Sequence, residues 1–146
     1  MRKDEVDDVA SYAGIGIGLT TLLRATPFRL IYNEIPIPAE ILRATFPFRK
    51  VYGEENTLSE SEEAEWKTAI VQMATAAGAH LEKGKELQTQ VPREARPVFL
   101  PMIPSLQFLE RLERVQHNLM DAKLHEPLHF QLMMRLGQSW LFGRIK

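Results

Sequence analysis

Residues 62–89, EEAEWKTAIVQMATAAGAHLEKGKELQT, decide the fold class of this chain. Apolar residues recur there every three or four positions, a spacing that places them on one face of an α-helix. The members of this face are Trp66, Ile70, Met73, Ala77, Leu81 and Leu87. Residues 82–86 are expected on the solvent side. Because Ser59 and Glu62 match a capping box at its start, the segment predicts one long amphipathic helix.

Helical periodicity continues on both sides of this segment. Further helices are predicted over 6–25, 39–44, 105–120 and from about 127 onward, with a short apolar segment at 95–102. The apolar residues expected to face inward on them are Val9, Ala13, Ile17, Leu22, Leu106, Leu109, Leu112, Val115, Leu119, Leu128, Leu132, Met133, Leu136, Trp140 and Leu141. No segment alternates in the manner of a strand, so the predicted class is all-α.

Prolines and polar residues set the expected boundaries of these helices. Pro27 is expected to end the first helix, because the residue before a proline is disfavoured in the α region. Pro92 is expected to stop the long helix in the same way. The polar and acidic residues 53–63 predict a surface loop, and Arg111 is expected on the solvent side of the helix over 105–120.

Composition excludes several classes of function for this chain. The chain has 146 residues, of which 45% are hydrophobic, enough for the core of one domain or of part of a larger one. Its 18 basic residues are balanced by 19 acidic ones, so the chain has no net positive charge to attract nucleic acid. The absence of cysteine excludes disulfides, thiolate zinc sites and cysteine nucleophiles. No apolar run approaches the roughly 18 residues of a membrane-spanning helix.

Residues 18–29, GLTTLLRATPFR, carry a recognisable motif. They resemble the second aspartate-rich motif of the squalene and phytoene synthases, which reads approximately Q-L-T-N-I-L-R-D-x-x-x-D. The following residues 35–40, IPIPAE, stand where that family has a Y-L-P segment and an acidic residue. The resemblance implies an isoprenoid-synthase-like helical bundle.

The two aspartates of the family motif are replaced here by Ala25 and Arg29. Ionisation of an allylic diphosphate needs Mg²⁺, a hard cation that prefers carboxylate ligands. Aspartates four residues apart lie on one helical face and reach one metal cluster. A methyl group cannot ligate Mg²⁺ and a guanidinium repels it. The sequence therefore predicts a pseudoenzyme with no catalytic residue, no metal site and no cofactor.

A mitochondrial branch of this superfamily, the complex I assembly factor 6 type, gives a closer resemblance. Its motif has also lost the aspartates and ends in L-R-A-T-P-[YF], as residues 23–28 do here. Residues 91–100, 109–115 and 138–140 resemble its V-P-x-x-A-x-P-x-F-L, L-x-x-[LI]-x-R-V and Q-S-W segments, with differing loops near 43–65. The resemblance implies a place in the mitochondrion, on the matrix side of the inner membrane, with complex I subunits as partners.

The family domain is about twice as long as this chain, which resembles its C-terminal part over 1–146. Half of a bundle is expected to leave apolar faces uncovered. The inward residues that should not all find cover within the chain are Leu22, Ile70, Met73, Leu112, Val115 and Leu132. We therefore expect dependence on a partner, and an accessory subunit more than a freestanding assembly factor.

Two other patterns resemble known sites without meeting their requirements. Residues 125–129, HEPLH, match the H-E-x-x-H zinc-protease signature, which needs both histidines on one continuous helix. Pro127 lies inside that turn and favours a loop-to-helix junction. Gly14, Gly16 and Gly18 follow no strand and lack the G-x-G-x-x-G spacing, so close helix packing or a locally loose helix is the better interpretation.

Four basic residues are candidates for contact with phosphate or a lipid headgroup: Arg24, Arg43, Arg49 and Lys50. For Arg24 the preferred interpretation is a structural ion pair, and for the other three a solvated face. The C-terminal residues 140–146 combine apolar and basic side chains, so peripheral lipid contact stays open beside core or protein contact.

Three functions remain, in order of preference. The first is a non-catalytic mitochondrial protein of respiratory complex I, an accessory subunit or assembly factor that uses its fold as an interaction scaffold. The second is a structural subunit of another mitochondrial assembly, such as a different respiratory complex, ATP synthase or a ribosome assembly intermediate. The third is a prenyl-diphosphate-binding enzyme with a remodelled metal site.

Overall fold

The computed structural model describes residues 3–32, 34, 36–43, 45–52, 58–126, 129–143 and 145. These residues form helices and turns and contain no strand, so the all-α prediction is confirmed. The α-helices among them are α1 (Lys3–Ile31), α2 (Arg49–Tyr52), α3 (Glu60–Leu87), α4 (Met102–Arg114), α5 (Ala122–His125) and α6 (His129–Phe142). Two 3-10 turns, Gln88–Gln90 and Arg96–Phe99, lie between α3 and α4. None of the described helices is long and apolar enough to span a membrane.

The start of α3 is the predicted capping box. The Glu62 backbone N–H donates to the Ser59 hydroxyl at 3.3 Å, and the Ser59 N–H donates to the Glu62 carboxylate at 2.7 Å. The face predicted to be apolar is buried from Trp66 to Leu81, and Leu87 is half-buried. Gly84, expected near the solvent side, is also buried because α1 and α4 approach it.

The prediction that Pro27 ends the first helix is wrong, because α1 continues to Ile31 with Pro27 inside it. Proline costs a helix interior about 3 kcal/mol. Leu30, one turn beyond, is 1% exposed, and burying a leucine contributes about 1.5–3 kcal/mol. The Thr26 hydroxyl also bonds the Leu22 carbonyl at 2.8 Å. Burial of Leu30 and the Thr26 hydrogen bond together offset the cost of the proline.

Helices α1 and α3 form the main contact of the fold. A Cβ added at Gly16 would lie 2.6 Å from Leu81 Cγ, so this position needs glycine for the close approach. Gly14 and Gly18 are exposed and would meet nothing within 4 Å. The close-packing interpretation of the glycine run therefore holds for Gly16 alone.

The core forms two clusters, and they include the six residues that we expected not all to find cover within the chain. Ile70, Met73 and Leu112 are 0%, 1% and 0% exposed in the first cluster. The remaining three of that set are half-buried against the core: Leu22, Val115 and Leu132. Three of the six are therefore fully covered within the chain, where α1, α3 and α4 close on one another, and the other three are covered in part.

Helix α4 ends earlier than predicted. It stops at Arg114 because Gln116 and His117 adopt left-handed φ angles of 53° and 63°. The His117 N–H then donates to the Leu112 carbonyl at 2.8 Å, which closes the helix end. In place of the helix predicted over 39–44 the chain forms only a turn, in which the N–H groups of Ile41 and Leu42 donate to the Pro38 carbonyl. Residue 44 lies outside the described residues. Helices α2 and α5 were not predicted.

Helix α6 presents a different face to the core from the one predicted. Leu132 and Leu136 are half-buried against the second cluster, as expected. Met133, Trp140 and Leu141 are instead 69%, 67% and 64% exposed, so their predicted inward placement is wrong. Nothing among the described residues covers that side of the helix. Leu128 and residues 53–57 of the predicted loop lie outside the described residues.

Candidate functional site: a groove beside the altered motif

An open groove of about 560 Å³ lies between α1, α4, α5 and the start of α6. Helix α1 contributes four residues at helical spacing: Thr21, Arg24, Ala25 and Phe28. Helix α4 contributes four at the same spacing: Pro104, Gln107, Phe108 and Arg111. Leu124, His125, Glu126 and Leu132 complete the lining. The groove is therefore built by two helical faces and closed at one end by α5.

The floor of the groove is apolar. Phe108 and Leu124 are 6% and 3% exposed and belong to the first core cluster. The Phe28 side chain is 59% exposed, and its ring is nearly perpendicular to the His125 ring, with centroids 5.9 Å apart. Gln107, 7% exposed, is the buried polar residue of the lining. Such a lining suits an apolar group with few polar contacts.

Arg111 shapes the closed end of the groove. Its guanidinium donates to the Glu126 carbonyl at 2.9 Å and also to the Lys123 carbonyl. Carbonyls at a helix end have no partner within the helix, so Arg111 holds the end of α5 in place. The side chain is half-buried, which makes its predicted solvent-facing position wrong.

Only part of the altered motif lines the groove. Ala25 and Arg24 both line the groove, with Ala25 half-buried and Arg24 exposed. Arg24 has no ion pair within the part of the chain that the structure describes, so the structural ion pair preferred for it is not found there. Arg29 is outside the lining and pairs with Glu34 at 3.5 Å.

The other three basic candidates lie near the start of α3 and do not line the groove. Arg43 pairs with Glu65 at 2.9 Å and Lys50 with Glu62 at 3.3 Å, while Arg49 is exposed. The pKa of the Glu62 carboxyl is lowered, first by the backbone N–H of Ser59, then by its hydroxyl, with a smaller effect of Lys50. Contact of these residues with phosphate or a headgroup stays a prediction.

The two histidines of the HEPLH segment belong to different helices. His125 ends α5 and His129 begins α6, so the continuous helical turn of the zinc signature is not formed. The His125 Nε2 lies 2.8 Å from the Leu119 carbonyl oxygen. Among the described residues no three histidine, aspartate or glutamate side chains are grouped to hold a metal.

Sequence reasoning missed the contribution of α4 to the site. Pro104, Gln107, Phe108 and Arg111 follow the same spacing as the groove residues of α1, and this spacing is the signal that could have found them. The recognisable motif of residues 18–29 lies on α1 alone. Arg111 was assigned to solvent because its neighbours Glu110 and Glu113 are charged.

Fold and site together define an all-α bundle with an apolar, helix-lined groove. The sequence profile of the squalene/phytoene synthase family matches residues 1–133, and the chain belongs to this family. The predicted partial isoprenoid-synthase-like bundle is therefore confirmed as its fold class. No solved structure matches the chain.

The chain is similar to proteins named NADH dehydrogenase (ubiquinone) complex I, assembly factor 6. It is 24% identical to the Rattus norvegicus protein over 140 residues, which cover 96% of this chain and 40% of that protein. Identity to the Homo sapiens protein is 26% over 136 residues, covering 92% and 39%. Identity to the Drosophila melanogaster homolog is 32% over 114 residues, covering 78% and 33%. The matched residues span between a third and two fifths of the length of these relatives.

Proposed function

We propose that the chain is a non-catalytic mitochondrial protein that acts with respiratory complex I on the matrix side of the inner membrane. The observation that carries the proposal is similarity along nearly the whole chain to proteins named complex I assembly factor 6. The proposal includes an assembly factor and an accessory subunit. It also takes residues 1–146 to correspond to the C-terminal part of the family domain.

The non-catalytic part of the proposal is supported by the groove. Ala25 stands at the position of a family aspartate and offers a methyl group to the groove. Among the lining residues that the structure describes, Glu126 is the one carboxylate, and a pair of carboxylates is what a Mg²⁺–diphosphate complex would need. The helical bundle then serves as a scaffold for other subunits of the complex.

Two alternatives remain. One observation favours a prenyl-diphosphate-binding enzyme. The exposed Arg24 could bind an anionic head, and the apolar floor of the same groove could accept an apolar tail. No separate observation favours a subunit of another mitochondrial assembly, because a helical bundle would serve as a scaffold in either kind of complex.

Native-gel proteomics tests the proposal. The epitope-tagged chain is expressed at its natural level, and mitochondrial membranes are separated by native and then denaturing electrophoresis with mass spectrometry. We expect co-migration with complex I or its assembly intermediates, and loss of NADH–ubiquinone reductase activity on deletion with complexes III and IV unchanged. Co-migration with a different complex, or an unaffected complex I after deletion, would contradict the proposal.

A further inference from the structure

The side-chain amide of Gln107 is held in a buried position without a partner of its own. Gln107 lies on α4, is 7% exposed and lines the groove beside α1. In the part of the chain that the structure describes, no group forms a hydrogen bond with this amide. A residue this buried usually bonds its polar atoms within the protein. The amide opens instead onto the groove, so a molecule bound there can supply the missing partner.

Two arginines bring positive charge to the same groove. Arg24 on α1 is exposed and has no ion pair among the described residues. Arg111 lies one helical turn from Gln107 on α4, and it donates only to the neutral carbonyls of Lys123 and Glu126. A guanidinium has five N–H donors, so Arg111 keeps donors for a further acceptor. The facing helices therefore offer two cations and one amide to a ligand.

The charges of the lining match a monoanion. Apart from His125, the charged lining residues are Arg24, Arg111 and Glu126, and two cations less one anion leave one net positive charge. A carboxylate carries one negative charge and accepts two parallel bonds from one guanidinium. A phosphate monoester carries a charge of about −1.5 to −2. A diphosphate carries more, and the described lining lacks the pair of carboxylates that would hold Mg²⁺ to neutralise it.

The remaining lining suits an apolar chain. Pro104, Phe108, Leu124 and Leu132 lie beside the polar groups. The groove has a volume of about 560 Å³, and small-molecule sites typically have about 300–1,000 Å³ and an apolar lining with few polar groups. Because α5 closes one end, the groove accommodates a single chain.

We infer that the groove binds a single-chain amphiphile with a carboxylate head, such as a fatty acid. The carboxylate accepts hydrogen bonds from Gln107 and Arg111 and pairs with Arg24 on the facing helix. The apolar chain packs on Phe108 and Leu124. This inference goes beyond the proposed function and does not depend on it.

The head group is tested by competition on the purified chain. Dansyl-undecanoate is the fluorescent probe, and the competitors share one chain but differ in their heads: dodecanoate, dodecanol and dodecyl phosphate, all below their micelle concentrations. We expect dodecanoate to bind about tenfold more tightly than dodecanol, because hydrogen bonds to a charged group are the stronger ones. Dodecanoate should also bind more tightly than dodecyl phosphate.

Gln107→Leu, with Gln72→Leu as its control, separates binding from folding. Leucine and glutamine are similar in size and in helix propensity, and the Gln107 amide bonds nothing else among the described residues. Gln72 is exposed on α3 and lies outside the lining. Neither substitution should lower the melting temperature. Only Gln107→Leu should weaken dodecanoate binding, by about tenfold, and it should leave dodecanol binding unchanged.

Two further variants place the ligand in the groove without touching a buried polar residue. Ala25→Trp fills the groove and should abolish binding of the probe, whereas Ala10→Trp, at an exposed position of the same helix, should not. Arg24→Gln should weaken dodecanoate binding about fivefold, since Arg24 is exposed to solvent. Arg49→Gln removes an exposed arginine outside the groove and should change nothing.

Several results would overturn the carboxylate site. These are no binding of the probe, equal affinities for dodecanoate and dodecanol, or tighter binding of dodecyl phosphate than of dodecanoate. Binding that Ala25→Trp leaves intact would place the ligand elsewhere on the chain. A lower melting temperature in Gln107→Leu with unchanged affinity would make Gln107 a structural residue only. Co-migration with complex I is measured separately, so a failure here leaves the proposed function standing.

Discussion

The side-chain amide of Gln88 bonds both backbone groups of Ile145, 57 residues further along the chain. Gln88 Nε2 donates to the Ile145 carbonyl at 3.4 Å, and Gln88 Oε1 accepts from the Ile145 N–H at 3.4 Å. Gln88 is 1% exposed and Ile145 6%, so water does not replace these bonds. Arg96 supports the same segment by donating to the Gly143 carbonyl at 2.9 Å. The amide therefore anchors the C-terminal segment to the end of α3.

We expect Gln88→Ala to lower the free energy of unfolding by about 1–3 kcal/mol, because two buried backbone groups lose their partner. Urea denaturation followed by circular dichroism measures this change. Gln90→Ala, an exposed position in the same 3-10 turn, serves as the control and should change stability by less than about 0.5 kcal/mol. Equal effects of the two substitutions would show that the Gln88 bonds do not stabilise the fold.

Magnesium-dependent prenyl chemistry is predicted to be absent. The purified chain should release no diphosphate from farnesyl or geranylgeranyl diphosphate, because Ala25 offers no ligand and Arg29 is paired with Glu34 outside the groove. A coupled diphosphate assay, with and without Mg²⁺, measures release. Turnover that rises with Mg²⁺ and disappears on chelation would mean that the chain is an enzyme after all.

The histidines of the HEPLH segment are predicted not to bind zinc. His125→Ala and His129→Ala should leave metal content and assembly into the host complex unchanged, because the two residues belong to α5 and α6. Elemental analysis of the purified wild type and both variants is the measurement. Stoichiometric zinc in the wild type that is lost in either variant would contradict the assignment.

Long periodic segments could be predicted from the sequence because burial follows helical spacing there. Trp66, Ile70 and Leu81 recur every three or four residues along α3, and their burial follows from that spacing alone. The capping box of Ser59 and Glu62 is equally local, since both bonds join residues three apart. Such features depend on few distant contacts.

Features that depend on distant contacts could not be predicted. Pro27 stays inside α1 because Leu30 is buried by other elements. Trp140 has the spacing of a core residue, yet its side of α6 is exposed, and periodicity cannot show which of two apolar sides meets the core. The groove needs α4 beside α1, and no local pattern in residues 18–29 indicates Arg111.

The capping box should make the stability of α3 depend on pH. The Glu62 pKa is lowered below its ordinary value of 4.5 in the folded chain, so the ionised carboxylate stabilises the fold above that value. This contribution is lost as pH falls through the lowered pKa. We expect Glu62→Gln to be less stable than wild type at pH 6, and the difference to vanish in acid. Glu60→Gln, at the first residue of α3, is the control, and a pH-independent difference for Glu62→Gln would contradict the mechanism.

Pro27 should be a site where one substitution stabilises the fold. Proline lacks the N–H that position 27 of a helix would donate to the Leu23 carbonyl, and its ring crowds that carbonyl. Pro27→Ala should therefore raise the free energy of unfolding by about 1–3 kcal/mol and raise the melting temperature. Pro92→Ala is the matched control, since Pro92 is exposed outside a helix and should gain nothing. A loss of stability in Pro27→Ala would mean that the proline's fixed backbone angle directs the last turn of α1 and the burial of Leu30.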